Sequence, residues 1–152
     1  MSDLIFSVKG SNEHPTKFIA EARNFKLVVD EPNELGGTDH GANPVEYLLA
    51  GYAGCLNVVS HLVANELGFT IHKLDVVIEG NLDPAKLFGE ETTGRAGFKS
   101  ISAKLIPEAE ADQETLNRWL EIVERRCPIN DNLSNPTSIQ VTVEKKELLE
   151  AV

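Results

Sequence analysis

Residues 36–55 read GGTDHGANPVEYLLAGYAGC: a glycine-rich loop that turns into an apolar helix and carries a thiol into it. The helix start is marked three ways. Asn43 is an N-cap residue, Pro44 suits the first helical position, and Glu46 stands three places after the cap. The apolar run continues to Leu67 and stops at Gly68, a residue that ends helices in the left-handed conformation. Apolar residues surround most of the circumference (Val45, Tyr47, Leu48, Leu49, Tyr52, Leu56, Val58, Val59, Leu62, Val63), which predicts a central helix buried on several sides. Ala50, Gly51, Ala53 and Gly54 fall together within it. Because Gly costs helix stability, this cluster predicts a second backbone packed closely there.

Outward from this helix, apolar runs at residues 4–8, 18–22 and 25–29 read as strands, with turn-rich residues 10–15 between the first two. Residues 31–43 read as a loop. Leu74, Val76 and Ile78 alternate with Asp75, Val77 and Glu79, and Ile101, Ala103 and Leu105 alternate with Ser102 and Lys104, giving two further strands around a loop at residues 80–94. From about Asp112, Leu116, Trp119, Leu120, Val123 and Cys127 share one face of a second helix, which Pro128 ends. A last strand places Ile139, Val141 and Val143 against Gln140, Thr142 and Glu144. The order β-β-β-α-β-β-α-β predicts an α+β fold rather than a doubly wound parallel sheet.

The 152 residues carry a net charge of −10, with 41% hydrophobic and 25% charged residues. The length suits one domain burying about two thirds of its unfolded surface. The acidic balance disfavours nucleic acid and anionic membranes, both of which are bound through Lys and Arg. MSDLIFSVKGS lacks the basic start and apolar core of a signal peptide, and no run nears the ~18 uninterrupted apolar residues of a spanning helix. A reducing cytoplasm is therefore expected, where a Cys–Cys bond is transient and catalytic rather than structural.

The chain has two cysteines, Cys55 and Cys127. If the two helix faces meet, they form a redox couple; otherwise both are small buried hydrophobes. A reactive thiol must ionise, and Cys55 lies roughly three turns into its helix, beyond the reach of the helix dipole. A guanidinium is therefore needed: Arg23 leads, with Arg95 in reserve, while Arg118, Arg125 and Arg126 read as solvated surface. Glu46 could hold such an Arg or serve only as a cap. Nine residues place Glu46 and Cys55 on opposite sides of one straight helix, roughly 13 Å apart along the axis. They share a site only through a long Arg, a helix distortion or a second subunit. His14, His40, His61 and His72 show no metal-ligand spacing, and there is no C-x-x-C, G-x-S-x-G or G-x-G-x-x-G motif, so neither metal nor cofactor is expected.

ELGGTDHGANPVEYLLAGYAGC (residues 34–55), followed by RRCPINDNL (residues 125–133) and an alternating terminal segment, resembles the OsmC/Ohr family of osmotically inducible and organic hydroperoxide resistance proteins. The resemblance covers nearly all of residues 1–152, read as a single OsmC/Ohr-like domain. It implies two long central helices with flanking antiparallel sheets in an intertwined homodimer whose active sites lie at the subunit interface. It also implies a thiol peroxidase acting on organic hydroperoxides: Cys55 the attacking thiolate, Cys127 the resolving thiol, Arg23 and Glu46 the supporting pair, and a dithiol the reductant. Hydroperoxide-specific members usually carry Glu directly after the N-P pair. Here Val45 occupies that place and Glu46 follows it, a spacing that looks like the OsmC-like branches. The alternative is a non-catalytic dimer binding small apolar ligands in the interface cleft.

Overall fold

The computed structural model describes residues 2–146. Its elements run β1 (Lys9–His14), β2 (Lys17–Ala22), β3 (Phe25–Val29), α1 (Pro44–Leu67), β4 (Ile71–Asn81), β5 (Ser100–Ala109), α2 (Gln113–Arg126) and α3 (Pro128–Ser134), an α+β arrangement. β1, β2 and β3 form one antiparallel sheet in sequence order, and β4 and β5 form a second.

α1 has the predicted ends because its caps are local. Asn43 accepts from Glu46 N–H while the Glu46 carboxylate accepts from Asn43 N–H, and Gly68 (φ 81°) closes the other end. One face of the helix, Tyr52, Leu56, Val59, Val63 and Ala64, forms the core with Ile71, Trp119, Val123 and Cys127. The inward residues of β4 and β5 (Leu74, Val76, Ile78, Ile101, Leu105) pack beneath. α1 is long and apolar enough to cross a membrane by length and composition, yet this face belongs to the core. Burial on several sides is not what the single chain provides: Val58 is 58% and Leu62 53% exposed, and a Cβ added at Gly51 or Gly54 would meet nothing.

Trp119 fixes α2 on α1. Its ring is buried edge-on against Phe69, with centroids 6.4 Å apart, and its indole N–H donates to the Ser60 carbonyl at 2.9 Å. Trp119, Val123 and Cys127 recur every fourth residue, so anchoring the first aims the last at α1.

Three further sequence expectations fail. Residues 4–8 form no strand and are exposed, because nothing in the single chain pairs with them. The polar segment read as a turn is instead β1, an edge strand set by its register on β2 (Gly10 opposite Ala20, Ser11 opposite Ile19). Only Gly fits at position 10, since a Cβ there would lie 2.2 Å from the Ile19 carbonyl oxygen and 2.7 Å from the Phe18 ring. The alternating segment ending in Ile139, Val141 and Val143 joins no sheet and leaves those side chains 81–97% exposed. Pro128 does end α2, but it also opens α3, where its missing N–H costs nothing.

The loop before α1 is built around Asp30, which is fully buried. Its carboxylate accepts from the Thr38 hydroxyl and from the N–H groups of Glu31, Thr38 and His40. The Thr38 bond leads in lowering its pKa from the usual 3.8 to about 2; burial opposes this, and the three backbone bonds add to the lowering. A depressed acid stabilises the fold above its unfolded pKa of about 4, and that contribution is lost as pH falls toward 2. Asp30→Asn is expected to lower the melting temperature at pH 7 and to flatten its decline between pH 4 and 2. Melting curves at pH 7, 4 and 2 read this, and a parallel decline in the two proteins would contradict it.

Candidate active site

Cys55 stands on the buried face of α1, one turn after Tyr52, and Cys127 on the link between α2 and α3. Cys127 caps both helices: its N–H donates to the Val123 carbonyl, and its sulfur accepts from Asn130 N–H at 3.4 Å. These two requirements place its Sγ 2.8 Å from Cys55 Sγ, both residues being free thiols. The couple left open by the sequence is thus in contact. It is asymmetric, since Cys127 is fully buried and Cys55 is only partly so.

Tyr52 and Asn130 close one side of the pair. The Tyr52 hydroxyl donates to Asn130 Oδ1 at 2.6 Å, and Asn130 Nδ2 donates to the Glu124 carbonyl at 2.9 Å. Asn130 therefore ties α1, α2 and the Cys127 sulfur together. Sequence reasoning missed both residues. Tyr52 was legible as the position one helical turn before Cys55, and Asn130 as the third residue after a Cys-Pro helix start.

Burial is the main influence raising the Cys55 thiol above its ordinary pKa; Cys127 pushes the same way, and the Ile129 N–H works against them. Among the described residues no cation bears on this thiol. Burial likewise leads in raising Tyr52, with the charges of Cys127, Glu124 and Cys55 adding to it. Arg23 occupies the β2–β3 turn in a left-handed conformation (φ 58°), its guanidinium 5.0 Å from the Phe25 ring centroid, and among the described residues it forms no ion pair. Glu46 caps α1 through Oε2. The structure thus brings Cys55 and Cys127 together and leaves Arg23 and Glu46 outside their immediate surroundings. Arg95, with Tyr52 and Asn130, lines a cavity of about 360 Å³.

Residues 37–142 match the family described as OsmC-like protein. A Mycoplasma genitalium protein named hydroperoxide reductase is 22% identical over 125 residues, which cover 82% of this chain and 83% of that protein. The solved OsmC-like protein from Mycoplasma pneumoniae has the same fold, with TM-score 0.77 at 21% identity over 89% of this chain and 91% of that one. So does an organic hydroperoxide resistance protein OsmC from Legionella pneumophila, with TM-score 0.67 at 20% identity over 88% and 91%.

Proposed function

Because the chain belongs to the OsmC-like family, we propose that it is a two-cysteine peroxidase reducing organic hydroperoxides in a reducing cytoplasm. The observation that carries this reading is the 2.8 Å approach of a partly exposed thiol to a fully buried one. The Cys55 thiolate attacks the distal peroxide oxygen, the O–O bond breaks, and the alkoxide leaves as alcohol after taking a proton. Cys55 is then a sulfenic acid. Cys127 attacks its sulfur, the S–S bond forms and water departs. Two thiols have been oxidised by two electrons and one hydroperoxide reduced to alcohol and water. A dithiol reductant restores the pair by exchange.

The single chain presents a thiol that burial pushes away from ionisation, and that state is unreactive. We assign its activation to a second copy. The stripe Gly51, Gly54, Val58 and Leu62 runs along α1 at helical spacing, open to solvent, as a seat for another backbone. The alternating residues Ile139, Val141 and Val143 are equally uncovered. A homodimer closing these surfaces would bury more than about 2,000 Å² and bring Arg23, braced by Glu46, to the partner's thiol. Light scattering at micromolar concentration tests this, and a stable monomer contradicts it.

Cys127→Ser is expected to leave the first oxidation intact and strand Cys55 as sulfenic acid, open to over-oxidation. One equivalent of cumene hydroperoxide followed by dimedone should label Cys55 in that variant and label nothing in Cys55→Ser. Equal loss of the single-turnover step in both variants would overturn the roles. Among the described residues no cation bears on the Cys55 thiol, which favours a second reading, a non-catalytic dimer that binds small apolar ligands. That protein would leave both variants unlabelled.

A further inference from the structure

The cavity beside the sulfur pair is built for more than an apolar guest. Leu48, Phe98, Ile101 and Leu133 give it apolar surface, while Tyr52 and Asn130 border both it and the thiols. Its volume of about 360 Å³ lies at the small end of ligand sites, room for a compact molecule. Two cations also line it, and they differ. Lys99 is already committed, its ammonium donating to the Asp83 carboxylate at 3.0 Å. Arg95 is exposed and has no ion pair or hydrogen bond from its guanidinium among the described residues. That guanidinium lies over Gly97, where an added Cβ would stand 3.4 Å from its nearest nitrogen, an ordinary contact.

An uncommitted guanidinium at a cavity lined by both polar and apolar side chains is notable in a chain of net charge −10, whose overall field repels anions. A planar fork of donors matches the two oxygens of a carboxylate, as it also matches a phosphate, and the carboxylate is the smaller group to carry on a compact organic hydroperoxide. We propose that this cavity is the substrate site and that Arg95 is its specificity-determining residue, selecting compact hydroperoxides that carry a carboxylate. The inference rests on the peroxidase reading of the sulfur pair. The apolar body of such a substrate lies against Leu48 and Phe98, its carboxylate pairs with Arg95, and its peroxide end lies toward Tyr52 and Cys55.

The test compares cumene hydroperoxide with its para-carboxylate derivative, two substrates differing only in the anion. The wild-type dimer is expected to favour the carboxylate at least tenfold in kcat/KM, through KM, with the preference shrinking as ionic strength rises. Arg95→Gln should bring the ratio of the two kcat/KM values down at least tenfold. Calorimetric titration of the reduced protein with 4-isopropylbenzoate, which has no peroxide bond, reads the same site without turnover and should weaken about tenfold in Arg95→Gln. Absence of any preference in the wild type, together with no 4-isopropylbenzoate binding, would overturn the proposal. So would an Arg95→Gln loss equal on both peroxides and paired with a raised Cys55 pKa, since Arg95 would then be activating the thiol. If neither peroxide is consumed but 4-isopropylbenzoate still binds through Arg95, the peroxidase reading falls and the anion site stands.

Discussion

Cys55→Ser is expected to slow hydroperoxide reduction by at least about a thousandfold, the scale on which a covalent mechanism suffers when its nucleophile is removed. A serine hydroxyl fills nearly the same space in α1, so the fold should survive and the loss should be chemical. Three features converge on this residue. Cys55 is the more accessible sulfur, it shares a helix face with Tyr52, and its partner sulfur is 2.8 Å away. Stopped-flow peroxide consumption under excess reductant reads the effect. A variant that retained more than a tenth of the wild-type rate would place the attack elsewhere, with Cys127 the next sulfur to examine.

The second large effect is on stability. Trp119→Ala is expected to cost about 3–5 kcal/mol, the range for truncating a buried aromatic. That corresponds to a fall of roughly 10 °C in melting temperature for a chain of this size. Trp119 is 2% exposed, contacts Phe69 edge-on and satisfies the Ser60 carbonyl, so its loss opens a cavity and removes a buried hydrogen bond together. Because Trp119 also sets where Cys127 points, the variant should form the Cys55–Cys127 disulfide more slowly than wild type even where it remains folded. Chemical unfolding and disulfide formation after a peroxide pulse check the two halves. A loss below about 1 kcal/mol would mean that α2 is held on α1 by other contacts.

What could be read in advance depended on how local each signal was. The span Pro44–Leu67 was legible because its cap, its proline and its closing glycine all lie within a few residues of its ends. The two strands of the second sheet were legible from alternation alone, although pairing extends β4 at both ends, to Ile71 and Asn81. β1 was not, since KGSNEH carries no apolar pattern and becomes a strand only through its register on β2. The segment around Val141 misled in the opposite sense. Alternation records a demand for a covered face, and within one chain that face stays open.

The site divides in the same way. That Cys55 and Cys127 each sit on an apolar helix face was visible in the spacing, but their contact depends on the Trp119 anchor and on the double capping role of Cys127. Arg23 and Glu46 could be picked out only as residue types in the right regions. The structure gives each a local occupation, a ring to stack on and a helix to cap, and their part in catalysis is the part assigned here to a second copy. Asn130 carried no signal stronger than its place after a Cys-Pro pair, yet it bonds Tyr52, the end of α2 and the Cys127 sulfur.

If Cys55 and Cys127 act as one two-electron couple toward a hydroperoxide, a single turnover oxidises both. The most direct measurement is to mix fully reduced protein with one equivalent of cumene hydroperoxide, quench at once with a thiol-alkylating reagent, and record intact mass and remaining thiols. Rapid loss of both thiols in every chain, a mass decrease of two hydrogens and a Cys55–Cys127 disulfide in the peptide map are expected. Two alkylatable thiols per chain, with the peroxide unconsumed, would contradict this.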